Sequence, residues 1–313
     1  MNEKKLNAVS VLVVGNGNLT YSIAVCLVKA KCMVDLCTDD VYDATGIIQT
    51  HLSEMKDGDR KTMIDGDSLR ISQNIGTGEY ALAIVITPEE PGIKKDTISR
   101  LEKTLSPDTP IVVNTESIGL DIIQEGAVHP ERVIGLNWTE PAHTTRFMEI
   151  ITNPVVKTGL TDQINILAAS WNKDPYIVEN LGIRSKMMGA MIREAFYLIE
   201  NGYASVEDID RACRNDAGYY LPFAGNCRYM DLMGTYAYGM VMKNLNPDLS
   251  KEQQLPDFFK EITEKGGLGM QNGAGVYQYT SDEVGVWRKL FNEFSYQIEE
   301  IINKYPFKYK RET

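Results

Sequence analysis

Apolar positions along the first half of the chain alternate between two spacings. Val9–Val14 is a short continuous apolar run that leads directly into glycines, the mark of a buried strand. Leu19, Ile23, Cys26, Leu27 and Ala30 then recur on one helical face, predicting a helix over Leu19–Ala30. Cys32–Cys37 reads as a second strand, with further strands at Ala81–Ile86, Ile111–Asn114, Val133–Asn137 and Phe147–Ile151. Helical spacing appears at Ile93–Leu105, Leu120–Gly126 and Thr161–Trp171. Strands alternating with helices predict an α/β fold: a Rossmann-like, doubly wound, mostly parallel sheet with helices on both faces.

The pattern changes near residue 180. Met187–Gly202 is a long helical run, and Ser205-Val-Glu-Asp208 opens another helix with a capping-box-like start. From there to Thr313 the chain shows helical spacing and glycine turns and no strand pattern. Two domains are expected, a nucleotide-binding domain over 1–180 and an all-α domain over 181–313, dividing near Ile177–Ile183. Met187, Met188, Met191 and Ile192 form an apolar stripe, for which core is the safer reading than interface.

Composition narrows the function. The 313 residues carry 43 Asp and Glu against 32 Lys and Arg, a net charge of −11. That balance excludes sequence-independent nucleic-acid binding, which needs a cationic face, and gives no support to an anionic membrane partner. No apolar run approaches the ~20 residues of a membrane span. The residues Met1–Asn7 before the first apolar run are polar, so that run is not a signal peptide. Five cysteines, an odd number without CxxC spacing, read as free thiols of a reducing cytoplasm. No HExxH occurs either, so no metal is expected.

The segment Val11-Leu-Val-Val-Gly15-Asn-Gly17-Asn-Leu-Thr20 is a strand, a glycine turn and a helix start. Gly15 permits the tight turn, Gly17 admits a pyrophosphate close to the backbone, and Asn16, Asn18 and Leu19 complete the loop into the helix N-terminus. Thr20 occupies the third glycine position, so the helix packs less closely than in the ideal pattern. At the end of the second strand stand Thr38, Asp39 and Asp40. Carboxylates there suit ribose hydroxyls and repel a 2′-phosphate, and no arginine sits beside them, so NAD is expected over NADP.

Several segments together resemble the 3-hydroxyacyl-CoA dehydrogenase family: Val13-Val-Gly-Asn-Gly, Thr87-Pro-Glu89 with Lys94, Val113-Asn114-Thr115, and His129-Pro-Glu-Arg-Val-Ile-Gly-Leu136. Glu194-Ala-Phe through Gly202-Tyr-Ala-Ser-Val-Glu-Asp-Ile-Asp210, and Gly267-Leu-Gly269 through Gly273-Ala-Gly-Val-Tyr277, complete the set in the family's order over almost the whole chain. The resemblance implies cofactor contacts from Thr87, Glu89, Lys94 and Asn114. It also implies a homodimer formed by the helical domain, and a site in the cleft between the domains.

In that family a histidine takes the substrate's hydroxyl proton while hydride passes to nicotinamide, and a glutamate twelve residues later orients the histidine. A serine and an asparagine hold the substrate oxygen. Only the glutamate, Glu149, is kept here; the histidine position is Asn137, the serine position Glu116, and the asparagine position Ser185. An amide is not a base, and general acid–base catalysis contributes ~10²–10⁴-fold. The departures leave three readings. In the first, Glu116 has become the base in a cleft with Glu149, two carboxylates together pushing one pKa upward toward a useful range, while Asn137 polarises the substrate carbonyl; His143 and Lys186 are other candidate bases. In the second, the substrate differs. In the third, the protein binds NAD with a disabled site.

The substrate is expected to be a small hydroxy acid or its acyl-CoA thioester. Members using CoA carry a basic insertion after the second strand, but here Asp39–Arg70 is short and Lys56-Asp-Gly-Asp-Arg-Lys61 mixes signs. Gly218-Tyr-Tyr-Leu-Pro-Phe-Ala-Gly225 through Met230-Asp-Leu232 is similar to the branch that oxidises free hydroxy acids such as gulonate, making a sugar-acid 3-dehydrogenase the alternative enzyme. Tyr220 replaces that branch's arginine; Arg146, Arg184, Arg193 and Arg228 are other candidate anion holders, although most arginines are surface residues.

Overall fold

A computed structural model describes residues 9–55, 68–76 and 78–305. The polar Met1–Asn7 and the mixed-charge Lys56–Lys61 therefore lie outside the described residues. The chain divides into two compact units, Met1–Ser185 and Lys186–Thr313.

The first unit holds one eight-stranded sheet in the order β3-β2-β1-β4-β5-β6-β7-β8. Its strands are β1 (Ser10–Gly15), β2 (Met33–Cys37), β3 (Leu69–Ser72), β4 (Leu82–Ile86), β5 (Ile111–Val113), β6 (Val133–Asn137), β7 (Phe147–Thr152) and β8 (Asp174–Glu179). All neighbours pair in parallel except β6 and β7. Helices α1 (Asn18–Lys29), α2 (Val41–Glu54), α3 (Pro91–Thr104), α4 (Leu120–Gln124) and α5 (Leu160–Ser170) accompany it. Every residue of β4, β5 and β6 is buried, as a parallel sheet covered on both faces requires. The doubly wound α/β expectation holds.

Three elements differ from the sequence reading. Strands β3 and β8 are edge strands that mix polar and apolar residues, and β8 carries Asp174, Pro175 and Glu179. Helix α2 buries only Ala44, Ile48 and His51, a face whose histidine hides the apolar spacing.

The second unit is helical, without a strand among its described residues. Helix α6 (Ile183–Glu200) begins in the first unit's last residues, followed by α7 (Val206–Ala212), a π-helical turn (Cys213–Ala217), α8 (Gly218–Met233), α9 (Thr235–Leu245), α10 (Asp257–Glu264) and α11 (Ser281–Lys304). The expected capping box forms: Ser205 and Asp208 each bond the other's backbone N–H. In this single chain Met187, Met188, Met191 and Ile192 are exposed, which corrects the core reading of that stripe. No helix among the described residues is long and apolar enough to cross a membrane. No disulfide joins any of the five cysteines.

Two buried imidazoles meet on the first unit. His51 of α2 and His143, in the loop between β6 and β7, have ring centroids 4.6 Å apart. Burial, then the facing His51, Lys29 and Lys173, push His143 down to about 3, and burial also lowers His51. His143 is therefore enclosed and weakly basic, which sets it apart from the other candidate bases. An unfolded imidazole binds a proton near pH 6.5, whereas folded His143 does not until about pH 3. Its neutral burial thus contributes stability above pH ~6.5 that is lost progressively as pH falls toward 3. Urea unfolding should show stability falling below pH 6.5 at up to ~1.4 kcal/mol per pH unit from this group, and His143→Met should flatten that slope.

Candidate active site

At the carboxyl ends of β1 and β4 a cleft of about 680 Å³ is lined by Gly15, Asn16, Thr38, Asp39, Thr87 and Arg100, among others. Open α/β sheets bind ligands at this end, where strand order reverses. Gly15 has no room for a side chain, because a Cβ would overlap the Ile86 carbonyl oxygen. Gly17 has φ +87°, a conformation that disfavours other residues, and open space where its Cβ would point. Among the described residues no side chain caps the α1 N-terminus that Asn18 and Leu19 begin, so its N–H groups can receive a pyrophosphate.

Asn16 ties this turn to β2. Its carbonyl oxygen accepts from Thr38 Oγ1 (2.7 Å) and Asp39 N (2.9 Å), and its amide donates to Asp39 Oδ2 (2.9 Å). Asp40 instead caps α2 through Asp43 N (2.8 Å), so of the two aspartates it is Asp39 that lines the cleft. Arg100 of α3 lines the same cleft, a cation that the sequence does not place beside Asp39. Only the fold brings residues 39 and 100 together. The glycine turn, the uncapped helix and the ribose-side carboxylate fit NAD.

A buried network braces the next crossover. The Lys94 ammonium, wholly buried, donates to Asn114 O (2.7 Å) and pairs with Glu89 Oε2 (3.1 Å). The Asn114 side chain is bonded both ways to the Thr87 backbone. Glu89 Oε1 accepts from the backbone N–H groups of Glu116 (2.9 Å), Ser117 (2.7 Å) and Ile118 (3.0 Å). Burial works to raise the Glu89 carboxyl, but the Ser117 N–H, Lys94 and the Ile118 N–H outweigh it and hold it below the usual range. Burial lowers Lys94, against the opposing charge of Glu89. These residues shape the loop after β5.

Beyond this brace, the antiparallel pairing of β6 and β7 sets Asn137 opposite Glu149. Both are fully buried. Asn137 accepts from Thr115 N (2.7 Å) and donates to Thr115 O (2.6 Å) and Glu149 Oε2 (3.1 Å). Its amide hydrogens are thus engaged within the protein, which corrects the expectation that Asn137 polarises a substrate carbonyl. Glu149 Oε1 accepts from Ile183 N (2.7 Å) and Arg184 N (3.2 Å), the first turn of α6, and from the Tyr176 hydroxyl (2.9 Å). Burial, then Glu149, raise the Tyr176 phenol, which stays protonated. Gly182 makes the seat possible: a Cβ there would overlap Glu149 Oε2 and lie 3.4 Å from Asn137 Nδ2.

Glu116 faces other partners. Arg184 Nη1 lies 3.0 Å from each of its carboxylate oxygens, and the Ser185 hydroxyl donates to Oε2. The two glutamates are bonded to separate sets of donors. Sequence reasoning missed Tyr176 and Gly182. Tyr176 sits on the unrecognised strand β8, and nothing around Gly182 in the sequence signals a close approach. Lys186 is exposed.

Residues 10–181 match the 3-hydroxyacyl-CoA dehydrogenase NAD binding domain, and residues 183–279 match the C-terminal domain of the same enzymes. The chain belongs to the 3-hydroxyacyl-CoA dehydrogenase family. It is 28% identical over 226 residues to the 5-formyl-3-hydroxy-2-methylpyridine 4-carboxylate 5-dehydrogenase of Mesorhizobium japonicum, covering 69% of this chain and 72% of that one. It is 26% identical to the 3-hydroxybutyryl-CoA dehydrogenase of Clostridioides difficile, over 63% and 70% of the two chains. A crystal structure of a 5-formyl-3-hydroxy-2-methylpyridine 4-carboxylic acid 5-dehydrogenase, described as an NAD+ dependent dismutase, superposes with a TM-score of 0.85 at 21% identity, covering 95% of this chain and 99% of that one. As a family member, this chain is an NAD-binding oxidoreductase that acts on a hydroxy or keto group.

Gly182→Ala should push Glu149 off the α6 N-terminus and cost about 1–3 kcal/mol of stability, the usual range for overpacking. Thermal unfolding with and without NADH is the measurement. An unchanged midpoint would show that Glu149 can leave this seat freely.

Proposed function

We propose that this member of the family interconverts a hydroxy and a keto group on a small hydroxy acid, with Glu116 in place of the absent histidine as proton acceptor. One observation carries the reading. Asn137 and Glu149 are engaged within the protein, whereas Glu116 stands partly exposed on the loop after β5, braced by Glu89 through its own N–H. That loop follows the carboxyl end of the strand beside β4, close in the topology to the cofactor cleft.

Gly15, Asn16, Gly17, Thr38 and Asp39 would hold NAD, which supplies the hydride acceptor when bound. The Ser185 hydroxyl orients the substrate oxygen, and the hydroxyl proton passes to a Glu116 carboxylate oxygen and on to solvent. Glu149 and Asn137 position the loop and α6 without exchanging protons. An acyl-CoA thioester is the second reading, favoured by the 3-hydroxybutyryl-CoA dehydrogenase of Clostridioides difficile among the relatives. The short region after β2 argues against it.

Glu116→Gln should lower turnover at least ~10²-fold, the scale of a lost general base, while leaving the NADH dissociation constant unchanged. NADH absorbance with acetoacetyl-CoA, and with NAD plus a panel of hydroxy and sugar acids, is the assay. NADH binding without turnover on any of them would favour the binding-protein reading, and full activity in E116Q would remove Glu116 as base.

We also place the protein in the cytoplasm as a homodimer joined through the second unit. Among the described residues of that unit only Ala224, Ser250 and Gly275 are buried, too little core for a separate fold. Val286, Trp287, Leu290, Phe291 and Phe294 form an exposed stripe along α11 at helical spacing. A second copy offers the same stripe with two-fold symmetry. Light scattering should give twice the chain mass, and Leu290→Glu with Phe294→Glu should yield monomer with reduced helical signal.

A further inference from the structure

The pair Glu116–Arg184 presents a carboxylate already bound to an arginine at the proposed site. Arg184 Nη1 contacts both carboxylate oxygens at 3.0 Å, and Ser185 donates to one of them. The guanidinium lies over the Phe147 ring, 5.6 Å from its centroid, and that ring meets Tyr176 edge to face at 5.9 Å. The aromatic pair supports the guanidinium from one side and so limits its orientations. Among the described residues no side chain takes Nε or Nη2, the edge whose two parallel donors match a carboxylate best. Both partners keep about a third of their side-chain surface exposed, 35% for Arg184 and 36% for Glu116.

An ion pair so exposed adds little stability. Its value must lie elsewhere, and three features point to ligand binding. The pair stands at the end of the sheet that carries the cofactor cleft. The nearby carboxylate of Glu149 is engaged by Asn137, Tyr176 and two backbone N–H groups, so it does not compete for Arg184. The hydroxyl of Ser185, the residue proposed to orient the substrate oxygen, is adjacent to the guanidinium.

We propose that Arg184 is the receptor for a free carboxylate on the substrate, and that Glu116 neutralises its guanidinium until the substrate arrives. This rests on the oxidoreductase reading above and names the substrate class: a hydroxy or oxo acid with an ionised carboxylate, not its thioester. The incoming carboxylate takes the Nε/Nη2 edge and competes with Glu116 for the same positive charge. The displaced Glu116 turns its lone pairs toward the substrate hydroxyl. No bond is made or broken in this exchange; one ion pair replaces another.

The test is equilibrium binding by calorimetry to the full chain with saturating NAD, which cannot reduce an oxo acid, so it does not depend on turnover. The probes are acetoacetate and benzoate, each against its methyl ester. The wild type should bind at least one carboxylate about tenfold more tightly than its ester, and Arg184→Gln should abolish that preference. Arg193→Gln, which removes the same charge further along α6, should keep it. Glu116→Gln removes the internal competitor and should tighten carboxylate binding several-fold even as turnover is lost. Absence of any carboxylate preference in the wild type, its survival in R184Q, or weaker binding in E116Q would each overturn the proposal. Should the chain turn over no substrate at all, the oxidoreductase reading fails while the binding preference can still be observed.

Discussion

The site is organised around one buried carboxylate. Glu149 has no exposed surface, and a carboxylate placed there is tolerated only with donors around it. It has them on every side: the Asn137 amide, the Tyr176 hydroxyl, and the Ile183 and Arg184 N–H groups. The last two belong to a helix start, where the peptide dipoles also favour a negative charge. Removing any one donor leaves a buried charge short of partners. Strands β6, β7 and β8, the Gly182 turn and the start of α6 are thereby held to one arrangement.

Asn137 fits this constraint better than a base would. Bonded both ways to the Thr115 backbone, it fixes the loop whose next residue is Glu116. The Asn137 amide is a brace, and a partly exposed carboxylate stands one loop away. Arg184 and Ser185, on the turn that Glu149 anchors, meet Glu116 there.

The central sheet was legible because its strands are buried on both faces and read as unbroken apolar runs. Strands β3 and β8 were not, because edge strands need only partial burial, and Pro175 and Glu179 disguise the second. The glycine turn and Asp39 could be read from spacing. Arg100 and Tyr176 could not, since each reaches its site from a distant element through the strand order. The resemblance located Glu149, Glu116 and Asn137, but only the hydrogen bonds separated the braces from the exposed carboxylate. His143 looked like a base in the sequence because nothing there records how deeply a loop is buried.

The Asn16 side chain has a consequence for the cofactor. Glycine-rich turns are flexible, and a ligand that orders one loses affinity to the entropy of that ordering. Here the turn is cross-linked to the end of β2 by three hydrogen bonds from one amide. The phosphate-side and ribose-side halves of the nucleotide site are therefore aligned before any nucleotide arrives. The turn behaves as a preformed mould, and binding energy from the adenosine half remains available to hold the nicotinamide end in place.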